Sequence, residues 1–314
     1  MKIVAALGGN ALLLRGQKMT AEAQRANVRK AARALAALIG EGHQVIVTHG
    51  NGPQVGLLAL QSAAGPAESA FPLDVLGAES EGMIGYLIEQ EMRNFLPESG
   101  MLATLLTQTL VDPKDPAFRR PEKPIGPVYD SAGAERLKSE KGWTFAMDGA
   151  GWRRVVASPE PLGILEARAI SILVDNQVTV ICAGGGGVPV VERETGDIVG
   201  IEAVIDKDRV SALLARQLGA DMLLLLTDVD GVYADFGSSN ARRLDRLDAR
   251  ALEGHSFAAG SMGPKVEAAA SFVLATGRPA AIGRLEDAVE MAGGRTGTRI
   301  ELVLDRENPI RRKS

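Results

Sequence analysis

Lys2-Ile3-Val4-Ala5-Ala6-Leu7-Gly8-Gly9-Asn10 decides how the chain is read. Residues 2–7 form a short apolar run that ends in two glycines, the pattern of a parallel strand buried on both faces. Ligands of α/β sheets sit outside the carboxyl ends of such strands, and a backbone without Cβ atoms admits another group closely. Two glycines alone are equally a tight strand exit. The pattern recurs, however. His49-Gly50-Asn51-Gly52 follows the second apolar run, and Gly184-Gly185-Gly186-Gly187 follows a later one. Three glycine loops at three strand ends predict one shared anion site. The first loop contains no lysine, so positive charge must arrive from elsewhere in the chain.

Outward from that strand, Thr20 is placed to cap a helix whose apolar positions Val28, Ala31, Leu35, Leu38 and Ile39 follow helical spacing. Val45 to Thr48 reads as the next strand. The resulting βαβ unit implies a parallel sheet with right-handed crossovers. Pro53 suits the first turn of a helix whose free N–H groups would face the glycine loop. The pattern predicts a helix over 76–96, with Met83, Leu87, Ile88, Met92 and Phe95 on one side, and a strand over 103–111. Pro113, Pro116, Pro121, Pro124 and Pro127 then crowd a charged stretch, which excludes a central strand there. Residues 112–161 are expected to form a protruding, irregular subdomain, a lid inserted into one domain spanning 1–314. Beyond it, regular alternation resumes. A helix over 166–176 precedes the strand before the four glycines, and Glu194-Thr195-Gly196-Asp197 reads as a hairpin turn. Residues 201–205 read as a strand before Asp206-Lys207-Asp208. Met222 to Leu226 is another buried strand, Pro264 opens a late helix, and strands are expected over 279–282 and 299–304.

At 314 residues, with 46% hydrophobic and 24% charged, the chain has the composition of a soluble globular protein. A net charge of -4 leaves no basic footprint, so nucleic acid is not the expected partner. No secretory signal is read at the N-terminus and no apolar run reaches membrane-spanning length, so a cytoplasmic location without a membrane partner is expected. One cysteine excludes an intramolecular disulfide and a multi-cysteine metal site. No Gly-Lys dipeptide occurs, which excludes a Walker-type loop, and the third glycine of Gly50-Asn51-Gly52-Pro53-Gln54-Val55-Gly56 stands one position late for a dinucleotide fingerprint.

The charged groups near element ends carry more information. Asp206-Lys207-Asp208 sits between a strand and a helix, and capping that helix is the plainest role open to Asp208. Lys265 stands at a helix start after Ser261-Met262-Gly263-Pro264, where a cation opposes the helix dipole unless it neutralises an anion. Lys123 is stiffened by prolines on both sides, and a plain surface lysine would not need that. His43, His49 and His255 carry little, and Cys182 reads as an inert core thiol. Glycine loops with dispersed lysines, and no nucleophile–base pair, point to phosphoryl transfer onto an acceptor that is already anionic.

In order along the whole chain, these motifs resemble the carbamate kinase branch of the amino acid kinase superfamily. The resemblance rests on Ala6-Leu7-Gly8-Gly9-Asn10-Ala11, on Thr48 through Gly56, and on Gly82-Met83-Ile84-Gly85-Tyr86. It extends over Lys123-Pro124-Ile125-Gly126-Pro127, Gly151-Trp152-Arg153-Arg154-Val155-Val156 and Gly184-Gly185-Gly186-Gly187-Val188-Pro189-Val190. It closes with Glu202-Ala203-Val204-Ile205-Asp206-Lys207-Asp208 and Gly260-Ser261-Met262-Gly263-Pro264-Lys265.

The resemblance implies a three-layer α/β/α sandwich around a mainly parallel open sheet, and a homodimer. It implies reversible formation of ATP and carbamate from ADP and carbamoyl phosphate, with magnesium carried by the nucleotide phosphates and no protein metal site. Gly8, Gly9, Asn10, Gly50, Asn51, Gly52, Gly185 and Gly186 would then hold the phosphoryl group and carbamate. Lys123, Lys207 and Lys265 would neutralise phosphate charge, and Asp208 would keep Lys207 and Lys265 in register. Thr227, Asp228, Val229, Tyr233, Met262, Gly263 and Lys265 would border the nucleotide. Glu81 stands where the resemblance leads one to expect glutamine, and Asp228 is closer to acetylglutamate and aspartate kinases. Two alternatives are weighed. An acetylglutamate-kinase-like enzyme of the same fold would carry a lysine at Ala6 and lack the proline-rich subdomain. A non-catalytic nucleotide sensor would be expected to have lost its lysines.

Overall fold

The computed structural model describes residues 1–13, 17, 18, 20–66, 70–238, 240–252 and 262–303. Its core is an eight-stranded sheet in the order Arg246–Asp248, Thr298–Glu301, Ala280–Arg284, Met222–Thr227, Lys2–Leu7, Gln44–His49, Thr179–Ile181 and Leu102–Thr104. Its pairings are parallel except that between Ala280–Arg284 and Thr298–Glu301. The opening strand lies in the middle and shows why the sequence runs apolar without alternation. Ile3, Ala5 and Leu7 pack on Val28, Ala31 and Leu35 of helix Ala21–Gly40 and on Ile84, Ile88 and Met92 of helix Leu73–Arg93. Val4 and Ala6 face the opposite layer, built on Val210 and Leu214 of helix Lys207–Gln217 and Val266 and Phe272 of helix Met262–Thr276. Each fully buried aliphatic or phenyl side chain contributes about 1.5–3 kcal/mol, so both layers hold the strand. This is the expected α/β/α sandwich.

Several expectations hold closely. Thr20 Oγ1 accepts the Ala23 N–H at 3.2 Å, Pro53 occupies the first turn of helix Gly52–Ala64, and the hairpin pairs Val191 with Val199 around Gly196.

Others need correction. The helix expected over 76–96 spans Leu73–Arg93, and its buried face runs through Leu76, Ser80, Glu81, Ile84, Ile88 and Met92 while Met83 is turned outward. The single strand expected over 103–111 is two, Leu102–Thr104 in the main sheet and Gln108–Val111 in a four-stranded sheet with Ile198–Gly200, Val188–Glu192 and Pro161–Ile164. The break falls at Thr107, whose N–H leaves the ladder and donates to Glu81 at 3.3 Å. Residues 201–205 form no strand, since Ile201 bonds to Pro189 and Val204 to Ala157 outside any ladder. The last strand ends at Glu301, and Leu304 lies outside the described residues.

The proline-rich stretch is more ordered than its composition suggests. Lys123–Tyr129, Gly151–Val156 and Thr144–Asp148 form a three-stranded antiparallel sheet with helix Ser131–Lys141 beside it. Pro124 and Pro127 sit on the edge strand Lys123–Tyr129, where a missing N–H costs no ladder bond, and the register slips between Ile125 and Tyr129. Ile125 and Val156 bury this sheet against Val55, Ala59, Leu73 and Leu76.

Candidate active site

Neighbouring strands bring the glycine loops together. Leu7 is paired with His49 on one side and Leu226 on the other, and Cys182 N–H bonds to Val47 at 2.9 Å. The carboxyl ends of four strands therefore lie side by side. Gly8 donates to the Leu226 carbonyl at 2.8 Å, next to Thr227. A Cβ at Gly50 would stand 3.1 Å from the Gly9 nitrogen and 3.5 Å from Lys207 Cδ. At Gly185, with φ +67°, a Cβ would stand 2.0 Å from the Asn51 amide nitrogen, so no other residue lets this loop meet Asn51. Gly186 closes against the Ile205 carbonyl, which leads directly into Asp206. Gly52 opens helix Gly52–Ala64. Asn10 lies in the short helix Gly9–Leu12, and its side chain lies outside the described residues.

The lysines converge on two carboxylates. Lys207 Nζ bonds Asp208 Oδ1, Lys265 Nζ reaches Asp208 Oδ2 at 3.2 Å, and Lys123 Nζ bonds Asp206 Oδ2. Asp208 is therefore not the helix cap. Asp206 has that role, with Oδ1 accepting from Asp208 N–H at 2.9 Å and Arg209 N–H at 3.3 Å. This frees the Asp208 side chain to bridge two lysines from different helices. Burial would push Asp206 up, but Lys123 and Lys207 and the helix N–H groups outweigh it and hold the carboxyl well below the usual range. Burial lowers Lys207, and nearby Lys265 lowers it further, against the opposing pull of Asp208 and Asp206. These five side chains carry three positive charges against two negative ones. A surplus cation held out of water is stabilised by an incoming anion.

Hydroxyl groups fix this cluster to the sheet. Ser211 Oγ donates to the Lys207 carbonyl at 2.6 Å and lies 2.6 Å from Thr48 Oγ1, tying the first turn of helix Lys207–Gln217 to strand Gln44–His49, which leads into Gly50. Asn51 Nδ2 donates to Ser80 Oγ at 2.8 Å. Sequence reasoning did not single out Ser80, Thr48 or Ser211. Their signal is a polar residue on the buried face of an otherwise apolar element.

The residues expected at a nucleotide border are less closely joined. Thr227 is buried beside Gly8 and donates to Asp228 at 3.1 Å. Met262 and Gly263 open the helix that carries Lys265. Val229 is half-buried, and Tyr233 turns its hydroxyl to Asp230 at 2.9 Å within its own hairpin. Gly260, Ser261 and His255 lie outside the described residues. His49 is a buried strand-end residue, and burial pushes its imidazole down to about 4. Cys182 is buried and its thiol is pushed up by burial, which makes it inert.

A parallel α/β sheet whose strand ends gather glycine backbones around buried lysines defines a phosphate-handling protein. The profile of the amino acid kinase family matches residues 1–284, and the chain belongs to that family. The carbamate kinase of Rhizobium meliloti is 55% identical over 300 residues, covering 95% of this chain and 92% of that protein. The carbamate kinase of Haemophilus influenzae is 52% identical, covering 96% of each chain. The solved structure of the carbamate kinase from Giardia lamblia bound to AMP-PNP superposes with a TM-score of 0.87 at 43% identity, covering 96% of this chain and 98% of that one.

Proposed function

We propose that the chain is a carbamate kinase, transferring a phosphoryl group reversibly between ATP and carbamate. The observation that carries the reading is the Lys207–Asp208–Lys265 bridge beside the Gly9 and Gly50 backbones, in a chain about half identical to carbamate kinases. Ala6 supports the choice of acceptor, because a lysine is expected there in acetylglutamate-kinase-like relatives.

In the ATP-forming direction an ADP phosphate oxygen attacks phosphorus, a new P–O bond forms, and the P–O bond to carbamate breaks. The leaving group departs as a carboxylate-type anion, so no general base or acid is required. Lys207 and Lys265 neutralise the oxygens of the group in flight, and Asp208 sets their spacing. The Gly9 backbone N–H, at the start of its short helix, faces the same oxygens without bringing a counter-charge, while Gly8 and Gly50, whose N–H groups are held by the Leu226 and Leu7 carbonyls, let the group approach the backbone closely. Lys123 reaches the site from the small sheet through Asp206. Magnesium supplies further charge compensation on the nucleotide phosphates. It fits there rather than on the protein, because the Asp206 and Asp208 carboxylates are both engaged by lysines. Thr227, Asp228, Val229, Tyr233, Met262 and Gly263 form the nucleotide side. A cytoplasmic homodimer completes the proposal.

Purified protein with ADP, magnesium and carbamoyl phosphate is expected to form ATP. No ATP from this mixture, with phosphorylation of N-acetylglutamate instead, overturns the reading. Residues 112–161, with their three-stranded sheet, act as a lid over this site. Hydrogen exchange in that sheet is expected to slow on adding nucleotide, and identical protection with and without it refutes the lid.

A further inference from the structure

We propose that Glu81 is a positioning residue for the acceptor half of the site, one that holds the Gly184–Gly186 turn against Asn51 and makes carbamoyl phosphate binding depend on its own charge. This rests on the carbamate kinase reading. Glu81 is 1% exposed on the buried face of helix Leu73–Arg93. Its Oε1 accepts the Gly184 N–H at 2.8 Å and its Oε2 accepts the Thr107 N–H at 3.3 Å. Thr107 Oγ1 in turn accepts the Ala183 N–H at 2.9 Å. The preceding residue, Ser80, receives the Asn51 amide. Two consecutive side chains on one helix thus fix both Asn51 and the turn that Asn51 packs against. A shift of the carboxyl moves Gly184, and with it Gly185, whose missing Cβ leaves room for the Asn51 amide.

Titratable groups face Glu81 from three elements. His49 meets it across Gly184 and is kept neutral by burial, its Nδ1 lying 3.2 Å from the Gly50 carbonyl. Cys182, at the end of strand Thr179–Ile181, holds an un-ionised thiol, and Glu166, beside helix Ala167–Asp175, adds a like charge. None of the three is a cation. Burial therefore dominates over the two N–H donors, and the Glu81 carboxyl is pushed up to about 8. A raised carboxyl is protonated below that pH and ionised above it. Below about 8 the acid is neutral and still accepts from Gly184. Above it, a buried negative charge stands behind a pocket that must receive a dianion.

The test is ATP formation with varied carbamoyl phosphate at saturating ADP and magnesium from pH 6.5 to 9.5, with the KM for ADP followed alongside. In the wild type the KM for carbamoyl phosphate is expected to rise on the order of tenfold as pH passes about 8, with the KM for ADP unmoved by that transition. Glu81→Gln, neutral and nearly isosteric, is expected to remove this rise. Glu166→Gln, which takes away the like charge, is expected to move the inflection to lower pH. Parallel profiles in wild type and Glu81→Gln, or an inflection that Glu166→Gln leaves in place, overturn the proposal, and the second comparison decides alone if Glu81→Gln does not fold. A wild type that forms no ATP at any pH refutes the carbamate kinase reading instead.

Discussion

Lys207→Ala is expected to lower ATP formation from carbamoyl phosphate by about a thousandfold or more, roughly 4 kcal/mol of transition-state stabilisation. The charge count sets that size. Lys123 is matched by Asp206, and Asp208 is shared by Lys207 and Lys265. Without Lys207 the remaining four groups sum to zero, and the surplus positive charge is gone. Lys207 also lies against Gly50, whose Cβ position is 3.5 Å from its Cδ, so the lost side chain is one that packs beside the glycine backbones. The fold is expected to persist, because the substitution removes a buried ammonium that burial itself disfavours and leaves Asp208 paired with Lys265. Steady-state rates and thermal melts check this together. Wild-type rates in a folded variant refute the assignment of Lys207.

Gly56→Ala carries the second large expectation, and it works through packing. A Cβ on Gly56 would lie 1.9 Å from the Gly126 Cα and 2.1 Å from its nitrogen. Both are backbone atoms, and Gly126 is held at φ +72° inside the register slip of its strand. Neither side has a flexible end that could give way, so the small sheet must move off helix Gly52–Ala64. Forced overpacking of this kind costs about 1–3 kcal/mol. The functional cost comes from Lys123, which begins the displaced strand and is drawn away from Asp206. Activity is expected to fall at least about tenfold, with faster proteolysis and faster hydrogen exchange over 123–156. A variant with wild-type exchange and activity refutes the close Gly56–Gly126 contact as the anchor of the lid.

Glu81 and Asp208 mark where reading the sequence succeeded unevenly. The βαβ start, the three glycine loops and the four charged residues of the site were legible because each leaves a local signature: an apolar run, a glycine cluster, a proline or charge beside an element end. The plain capping role open to Asp208 falls to Asp206 instead, because the two are equivalent in local sequence and only the path of the chain decides which carboxylate meets the helix N–H groups. The strand expected over 103–111 was split by a contact with a residue more than twenty positions away. The proline-rich stretch hid a sheet because Pro124 and Pro127 occupy an edge strand, and edge or centre is a property of neighbours.

By itself the sequence determined a parallel α/β core, because runs such as residues 2–7 and 222–227 must be buried on both faces wherever they lie. It also placed glycine loops at three strand ends, the first of them without a lysine. Tertiary structure alone decided how the missing charge is brought together. Lys123, Lys207 and Lys265 arise from a small sheet and two helices. They meet because two carboxylates at one helix start divide them, Asp206 taking Lys123 and Asp208 taking Lys207 and Lys265. That convergence is set by how the layers pack against the Gly8 and Gly50 strand ends, and no local interval of the chain encodes it.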